Sequence, residues 1–169
     1  MVKLIDRARK LPYFACMAII GVSTSTALAG SEAIEWSKDP ATLCEFVAPE
    51  SLTKGPTFWT GACVNGKASG TGMLRRRDGN RGGPAFFGQM KNGLPQLGVI
   101  DLGSGYRINT SRDSDIRASA ETEPQIRIDA FRVAADAARQ IGAKYAAEKN
   151  TASAQYYNTI AKTLELQIE

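Results

Sequence analysis

The stretch WTGACVNGKASGTG, residues 59–72, places four glycines behind an aromatic at gaps of five, four and two residues. Asn65-Gly66 stands at its centre. Asn and Gly tolerate the positive φ that both central residues of a type I′ turn require, and that turn suits the twist of a two-residue β-hairpin loop. The flanks then pair as strands, with Phe58 and Trp59 on one arm and Met73 and Leu74 ending the other. Gly61, Gly70 and Gly72 do not favour strand structure for its own sake. Glycine inside a strand marks a bulge, a sharp bend or a close backbone approach. So many in one hairpin predict hairpins stacked closely on their neighbours.

A second copy follows in FFGQMKNGLPQLG, residues 86–98. Phe86, Gly88 and Gly93 repeat the spacing of Trp59, Gly61 and Gly66, and Asn92-Gly93 repeats the turn. The pattern resembles the MORN repeat, roughly aromatic-x-G-x4-G-x3-G-x-G. The first copy follows it at Trp59, Gly61, Gly66, Gly70 and Gly72. The second departs from it: Leu97 and Val99 stand at the last two glycine positions, and Gly98 falls between them. The second hairpin is therefore expected to depend less on its turn glycine. IDLGSGYRI, residues 100–108, reads as a decayed third strand pair. The resemblance implies β-hairpins stacked into an elongated twisted sheet, a scaffold or binding surface linked to membrane attachment and protein contacts, and no catalytic residue. Repeat arrays generally need three or more units to bury a stable core, so two hairpins require capping by the rest of the chain.

The N-terminus reads as an export signal. Lys3, Arg7, Arg9 and Lys10 precede an apolar run over residues 11–22, and STSTALA ends in an A-x-A site at Ala27, Leu28 and Ala29. The run is too short for a spanning helix of about 20 residues. The residue directly after the cleavage site is Gly30 and not cysteine, which argues against a lipid anchor, and no Arg-Arg pair marks a twin-arginine leader. Four of the 21 basic residues and one of the 17 acidic residues lie in residues 1–29, so the mature chain carries net +1. The basic balance thus belongs mostly to the leader and gives no reason to expect nucleic acid as a partner. Cys16 leaves with the leader. Cys44 and Cys63 remain, an even pair in an exported chain, and are expected to form a disulfide. Such a loop closure stabilises by about 3 kcal/mol in the chain-entropy picture.

From Pro124 onward glycine nearly disappears and alanine rises. Ile128, Phe131, Ala135, Ala138, Ile141 and Tyr145 recur at three- and four-residue steps, the mark of an amphipathic helix. Pro124 suits a first turn, and Asn150 or Thr151 offers a cap for a second helix. There Tyr156, Ile160 and Leu164 form a stripe, with Tyr157 and Ala161 beside it. A helical hairpin and one long, slightly broken helix both satisfy this pattern; the hairpin is the expectation. The polar residues 111–123 read as a linker. The chain therefore divides into a signal peptide (residues 1–29), a MORN-like β-hairpin domain (30–110), the linker and a helical region (124–169). The fold class is α+β.

The chemistry available is narrow. The chain has no histidine, which excludes Ser-His-Asp and Cys-His nucleophiles and any His-based metal site. Glu45, Glu50, Asp78 and Asp101 are the carboxylates in or near the β region, but no spacing brings two together. Residues 79–83, GNRGG, lack the helix and the Lys-Ser/Thr of a phosphate loop. Arg75, Arg76, Arg77 and Arg81 form a candidate anion-binding patch, since guanidinium forks suit phosphate and carboxylate. The expectation is a periplasmic or secreted, non-enzymatic binding or scaffold protein without cofactor or metal, its partner a protein or another envelope component. The alternatives are a small envelope hydrolase using a carboxylate pair, or a protein meeting anionic lipid or glycan through the arginines. N-terminal sequencing of the protein purified from the cell envelope is expected to begin at Gly30; recovery of intact Met1 from the cytoplasm would overturn the export reading.

Overall fold

The computed structural model describes residues 34–110, 115–117 and 123–168; the proposed leader lies outside the described residues. Among the described residues, nine strands and two helices make an α+β fold. Strands β1 (Ser37–Lys38) and β2 (Glu45–Phe46) lead to β3 (Thr57–Trp59) and β4 (Ala62–Val64). A meander follows through β5 (Lys67–Asp78), β6 (Arg81–Lys91), β7 (Leu94–Asp101), β8 (Tyr106–Asn109) and β9 (Asp115–Arg117). All pairings are antiparallel except the contact of β2 with β5 at Glu45 and Lys67. Strand β9 falls within the segment read from sequence as a linker, and it pairs with β8. Three residues, Asp115–Arg117, are too few to show a strand period, so nothing in the sequence distinguishes them from a loop.

Both Asn-Gly pairs form the tight turns their residues favour. Asn65 and Gly66 have φ of 51° and 75°, and Asn92 and Gly93 have 51° and 81°. Gly70 answers to its own backbone, with φ of 76° and nothing within 4 Å of an added Cβ, whereas Gly61, Gly72, Gly88 and Gly98 answer to packing. Register aligns Gly72, Gly88 and Gly98 in one row across β5, β6 and β7. The ring of Trp59 lies over Gly61 and Gly72, and a Cβ on Gly72 would stand 2.6 Å from it. The ring of Phe86 lies over Gly88 and Gly98 in the same way, 2.5 and 2.6 Å from where a Cβ would be. Each aromatic thus folds along its own strand onto the glycine two residues on and onto the glycine across the strand gap. Gly98, off the repeat spacing, sits opposite Gly88. In the first hairpin Thr60 and Gly61 face the four residues 70–73 of β5, whereas in the second Gln89 alone faces Gln96 and Leu97. The smaller bulge brings the covered glycine one residue nearer its turn.

Strand alternation then divides the apolar residues between two faces. On one, Leu74, Phe86 and Ile100 lie in register beside Trp59. There Phe46, Leu52 and Cys44, from the segment before β3, cover them. Cys44 and Cys63 are bonded, with Cα atoms 5.9 Å apart. The buried Asp39 knots that segment: its carboxylate accepts from the N–H groups of Ala41 (2.7 Å), Thr42 (3.1 Å) and Trp59 (2.8 Å). On the other face Met73, Phe87, Val99 and Ile108 lie in register beneath α1 (Pro124–Ala147) and α2 (Thr151–Glu165).

The helices form a hairpin. Pro124 opens α1, and the side chain of Asn150 caps α2 by accepting from Ser153 N–H at 3.1 Å. The buried stripe of α1 is dominated by Ala130, Ala134, Ala135, Ala137 and Ala138 with Phe131 and Ile141, and these small residues let the helix lie close to both sheet and partner. At Gly142 a Cβ would meet Asn158 Oδ1 at 2.7 Å. On α2 the buried stripe is Ala154, Tyr157, Ala161 and Leu164. Tyr156, placed in the stripe from sequence, is 48% exposed; two adjacent tyrosines fit the helical period almost equally, and only the packing selects Tyr157. Residues 33–169 form one compact unit. No described helix is long and apolar enough to cross a membrane.

The structure gives the second turn the tighter surroundings, reversing the sequence expectation. A Cβ on Gly66 would meet nothing within 4 Å, but one on Gly93 would stand 2.6 Å from Trp36 and 3.0 Å from Glu45 O. Gly66→Ala is expected to cost about 1–2 kcal/mol from the left-handed backbone alone, and Gly93→Ala more, with Lys67→Val nearly neutral. Denaturant midpoints of the three variants test this order; a smaller loss at Gly93 than at Gly66 would contradict it.

Candidate functional site

The arginine run follows the strand period, and that decides its geometry. On β5, Arg75 and Arg77 share the face that carries the helices, while Arg76 points to the opposite face. Arg76 is committed to structure: its Nε donates to Lys54 O at 2.9 Å, and its guanidinium also donates to Pro56 O and Arg77 O. Arg81 is exposed at the far hairpin, paired in register with Asp78. The four guanidinium groups named from sequence therefore do not form a single patch. Arg75 and Arg77 share a face but lean apart, Arg75 toward Gly82 on β6 and Arg77 over Phe58 on β3.

Arg75 lies between β6 and α2. Its guanidinium carbon stands 5.6 Å from the Tyr156 ring centroid and 5.7 Å from that of Tyr157, and Nη1 donates to Tyr156 Oη at 3.5 Å. Opposite it is Gly82, where a Cβ would come within 3.2 Å of Nη1. Arg75 Nε is buried and has no acceptor. Arg77 lies over the Phe58 ring at 5.2 Å. The ion pairs among the described residues involve Lys38, Lys54, Arg132 and Arg139, and neither Arg75 nor Arg77 reaches a carboxylate there. Tyr157 in turn stacks on Tyr145 with centroids 5.5 Å apart and meets Phe87 edge-on. Burial pushes the Tyr157 phenol above its usual value; the positive fields of Arg75 and Arg77 pull it back, and Tyr145 and Tyr156 add to the rise. Sequence reading found the arginines but not their tyrosine partners, because contact between β5 and α2 is a tertiary fact.

A second surface lies at the end of the sheet that carries both Asn-Gly turns. Trp36 packs on Gly93, and Lys67 Nζ sits 4.5 Å above its ring. Val64 is the cross-strand partner of Lys67, and Leu94 follows Gly93. Leu43, with φ of 60°, adjoins the disulfide. Three of the seven exposed large hydrophobic residues among the described ones, Trp36, Val64 and Leu94, lie on the turns or pack against them, and Ile34 and Leu43 belong to the segment before β3. Trp36 had no motif around it in the sequence; a tryptophan in a short polar segment was the only signal.

The candidate carboxylates are dispersed. Glu45 pairs with Lys38 at 3.0 Å beside the turns. Glu50 and Asp78 are exposed. Asp101 accepts from Gly103 N–H at 2.8 Å and, after burial, is the second cause raising the Tyr106 phenol. Among the described residues no group of three or more Cys, Asp or Glu side chains is placed to hold a metal ion.

Compared with known proteins, the chain matches no family model, no curated protein sequence and no solved structure.

The tyrosines give the molecule a predicted alkaline limit. Folding raises the Tyr157 pKa above its unfolded value near 10, so the folded state holds a proton that the unfolded state releases. That contribution is complete below about pH 10 and is lost as pH rises through the folded value. Denaturant stability is expected to fall above pH 10, and Tyr157→Phe to reduce the slope, leaving a remainder from Tyr106. An unchanged slope in Tyr157→Phe would remove Tyr157 from this account.

Proposed function

We propose that this chain is an exported, non-enzymatic binding protein in which two MORN-like hairpins serve as a rigid scaffold and the turn-bearing end meets the partner. The observation that carries the reading is the gathering of exposed apolar side chains at that end. A tryptophan fixed by a turn and a lysine, with Val64 and Leu94 on the two turns, makes an apolar surface rimmed by Lys38, Lys67 and Lys91. Exposed apolar patches rimmed by polar residues mark interaction sites on monomeric proteins, and aromatic anchors dominate interface energetics. Support for export comes from the leader pattern and from the Cys44–Cys63 disulfide, which persists in oxidising compartments. The partner is then a protein or other component of the cell envelope.

The scaffold reading rests on how the repeat residues are used. Trp59, Phe86, Gly61, Gly72, Gly88, Gly98 and both Asn-Gly pairs are all engaged in packing or turns, which leaves binding to the residues around them. Val64→Ser with Leu94→Ser is expected to reduce retention of envelope components on the immobilised protein by about tenfold, equivalent to roughly 1.4 kcal/mol, with an unchanged circular dichroism spectrum. Leu166→Ser, an exposed apolar residue just past α2, serves as the control. Equal retention by the double variant and the control would reject the turn-bearing end as the contact surface.

A further inference from the structure

We propose that Cys63 is a site of reversible modification by low-molecular-weight thiols: a thiolate opens the Cys44–Cys63 bond at the Cys63 sulfur and leaves Cys44 as the buried thiol that later restores it. This chemistry is separate from the contact surface at the turn-bearing end, and neither depends on the other. The two bonded cysteines sit in opposite surroundings. Cys44 is fully buried, in a cluster with Phe46, Leu52 and Trp59. Cys63 is exposed, as are Ala62 and Val64, the other residues of β4. Its cross-strand partner Ala68 belongs to the same cluster as Cys44. The Cys63 side chain therefore stands at the rim of that cluster, and its bond runs inward to Cys44. Exchange depends on which sulfur an attacking thiolate can reach. The attack comes in line with the S–S bond, from the side away from the leaving sulfur. At Cys63 that side faces outward; at Cys44 it faces the packed core.

The exchange balances without an outside oxidant or reductant. The incoming sulfur bonds to Cys63 Sγ and the Cys44–Cys63 bond breaks. Cys44 leaves with the electron pair and takes up the proton that the incoming thiol has lost. A glutathione-class thiol thus caps Cys63, a modification that is reversible. The site suits reversal because Cys44 is held by contacts that the exchange does not touch. Asp39 N–H donates to Cys44 O at 2.9 Å, and Leu43 N–H donates to Asp39 O at 2.8 Å. The Asp39 carboxylate accepts from Ala41, Thr42 and Trp59. Just beyond Cys44, Glu45 N–H donates to Gly66 O at 2.8 Å and Val47 N–H to Gly93 O at 2.7 Å. Strand β4 keeps its pairing with β5. Cys44 therefore stays opposite Cys63 after the bond opens, placed to attack the mixed disulfide from within and expel the small thiol.

The oxidised, purified protein is incubated in native buffer with an excess of reduced glutathione, quenched with acid, alkylated and mapped by peptide mass spectrometry. Glutathione is expected on Cys63 and the alkyl label on Cys44, about tenfold or more over the reverse pattern, because access selects the sulfur attacked. The circular dichroism spectrum is expected to stay that of the folded protein throughout. Dialysis against thiol-free buffer is then expected to return the bond, with no free thiol left. Single variants give a second measurement. Cys63 in the Cys44→Ser protein is expected to react with a chromogenic aromatic disulfide in native buffer, and Cys44 in the Cys63→Ser protein only in denaturant. Should either variant fail to fold, the mapping on the unaltered chain decides. Glutathione found on Cys44, an even split between the two cysteines, or exchange only at denaturant concentrations that unfold the protein would overturn the proposal. An adduct that persists after dialysis would remove Cys44 as the restoring thiol. The mapping uses the purified chain alone, so its failure and a failure of the contact-surface reading are separately visible.

Discussion

The fold depends on two aromatic rings lying flat on a row of glycines. Trp59 and Phe86 each cover the glycine two residues ahead on their own strand and the glycine across the gap. A side chain at Gly72, Gly88 or Gly98 would lift the ring, and with it the layer that rests on the ring. Both rings are buried, and full burial of one such aromatic contributes roughly 3 kcal/mol. The glycines thus give up their own strand preference so that a large side chain can spread along the sheet. This is aromatic rescue of strand glycine, repeated once per hairpin, and the two copies tolerate bulges of different size because only the ring and its glycines must meet.

Two hairpins leave two open sheet faces, and the rest of the chain exists in large part to close them. The segment before β3 covers one face, held by the Cys44–Cys63 bond, by the buried carboxylate of Asp39 and by Arg107 donating to Ser51 at 3.2 Å. The helical hairpin covers the other. Its first helix is rich in alanine on the buried side, so it can approach both the sheet and α2. Arg139 pairs with Asp136 on its own helix and ties the helices together by reaching Glu165, although pairs as exposed as these contribute at most about 1 kcal/mol. The apolar core does the greater share.

The same two-residue period that builds the core sorts the charges. Three consecutive arginines on a strand cannot act as one patch, since the middle one faces away from its neighbours. Arg76 fastens the loop at Lys54 and Pro56, whereas Arg75 and Arg77 meet aromatic rings. One short run of arginines thus serves two faces of the sheet. The outcome follows from strand geometry and from which face each helix covers.

Much of this architecture is legible in the residues. Asn65-Gly66 and Asn92-Gly93 specify tight turns because few other pairs accept positive φ twice in succession. The alanine-rich period after Pro124 specifies an amphipathic helix, and Asn150 specifies where the next begins. The even pair Cys44 and Cys63 specifies a bond. Other features arise only when distant segments meet. Gly98 looks misplaced by spacing, yet pairing across β6 and β7 sets it under Phe86. Tyr156 and Tyr157 fit one helical stripe almost equally, and packing against Phe87 and Tyr145 buries the second and frees the first to face Arg75. Trp36 acquires its place from Gly93, more than fifty residues later in the chain. Local sequence determines turns, helix ends and strand periods because these need only neighbours along the chain. Which face is covered, which arginine is left without a carboxylate and which aromatic reaches solvent were decided by tertiary structure, because each depends on contacts that exist only after the sheet and helices have closed on one another.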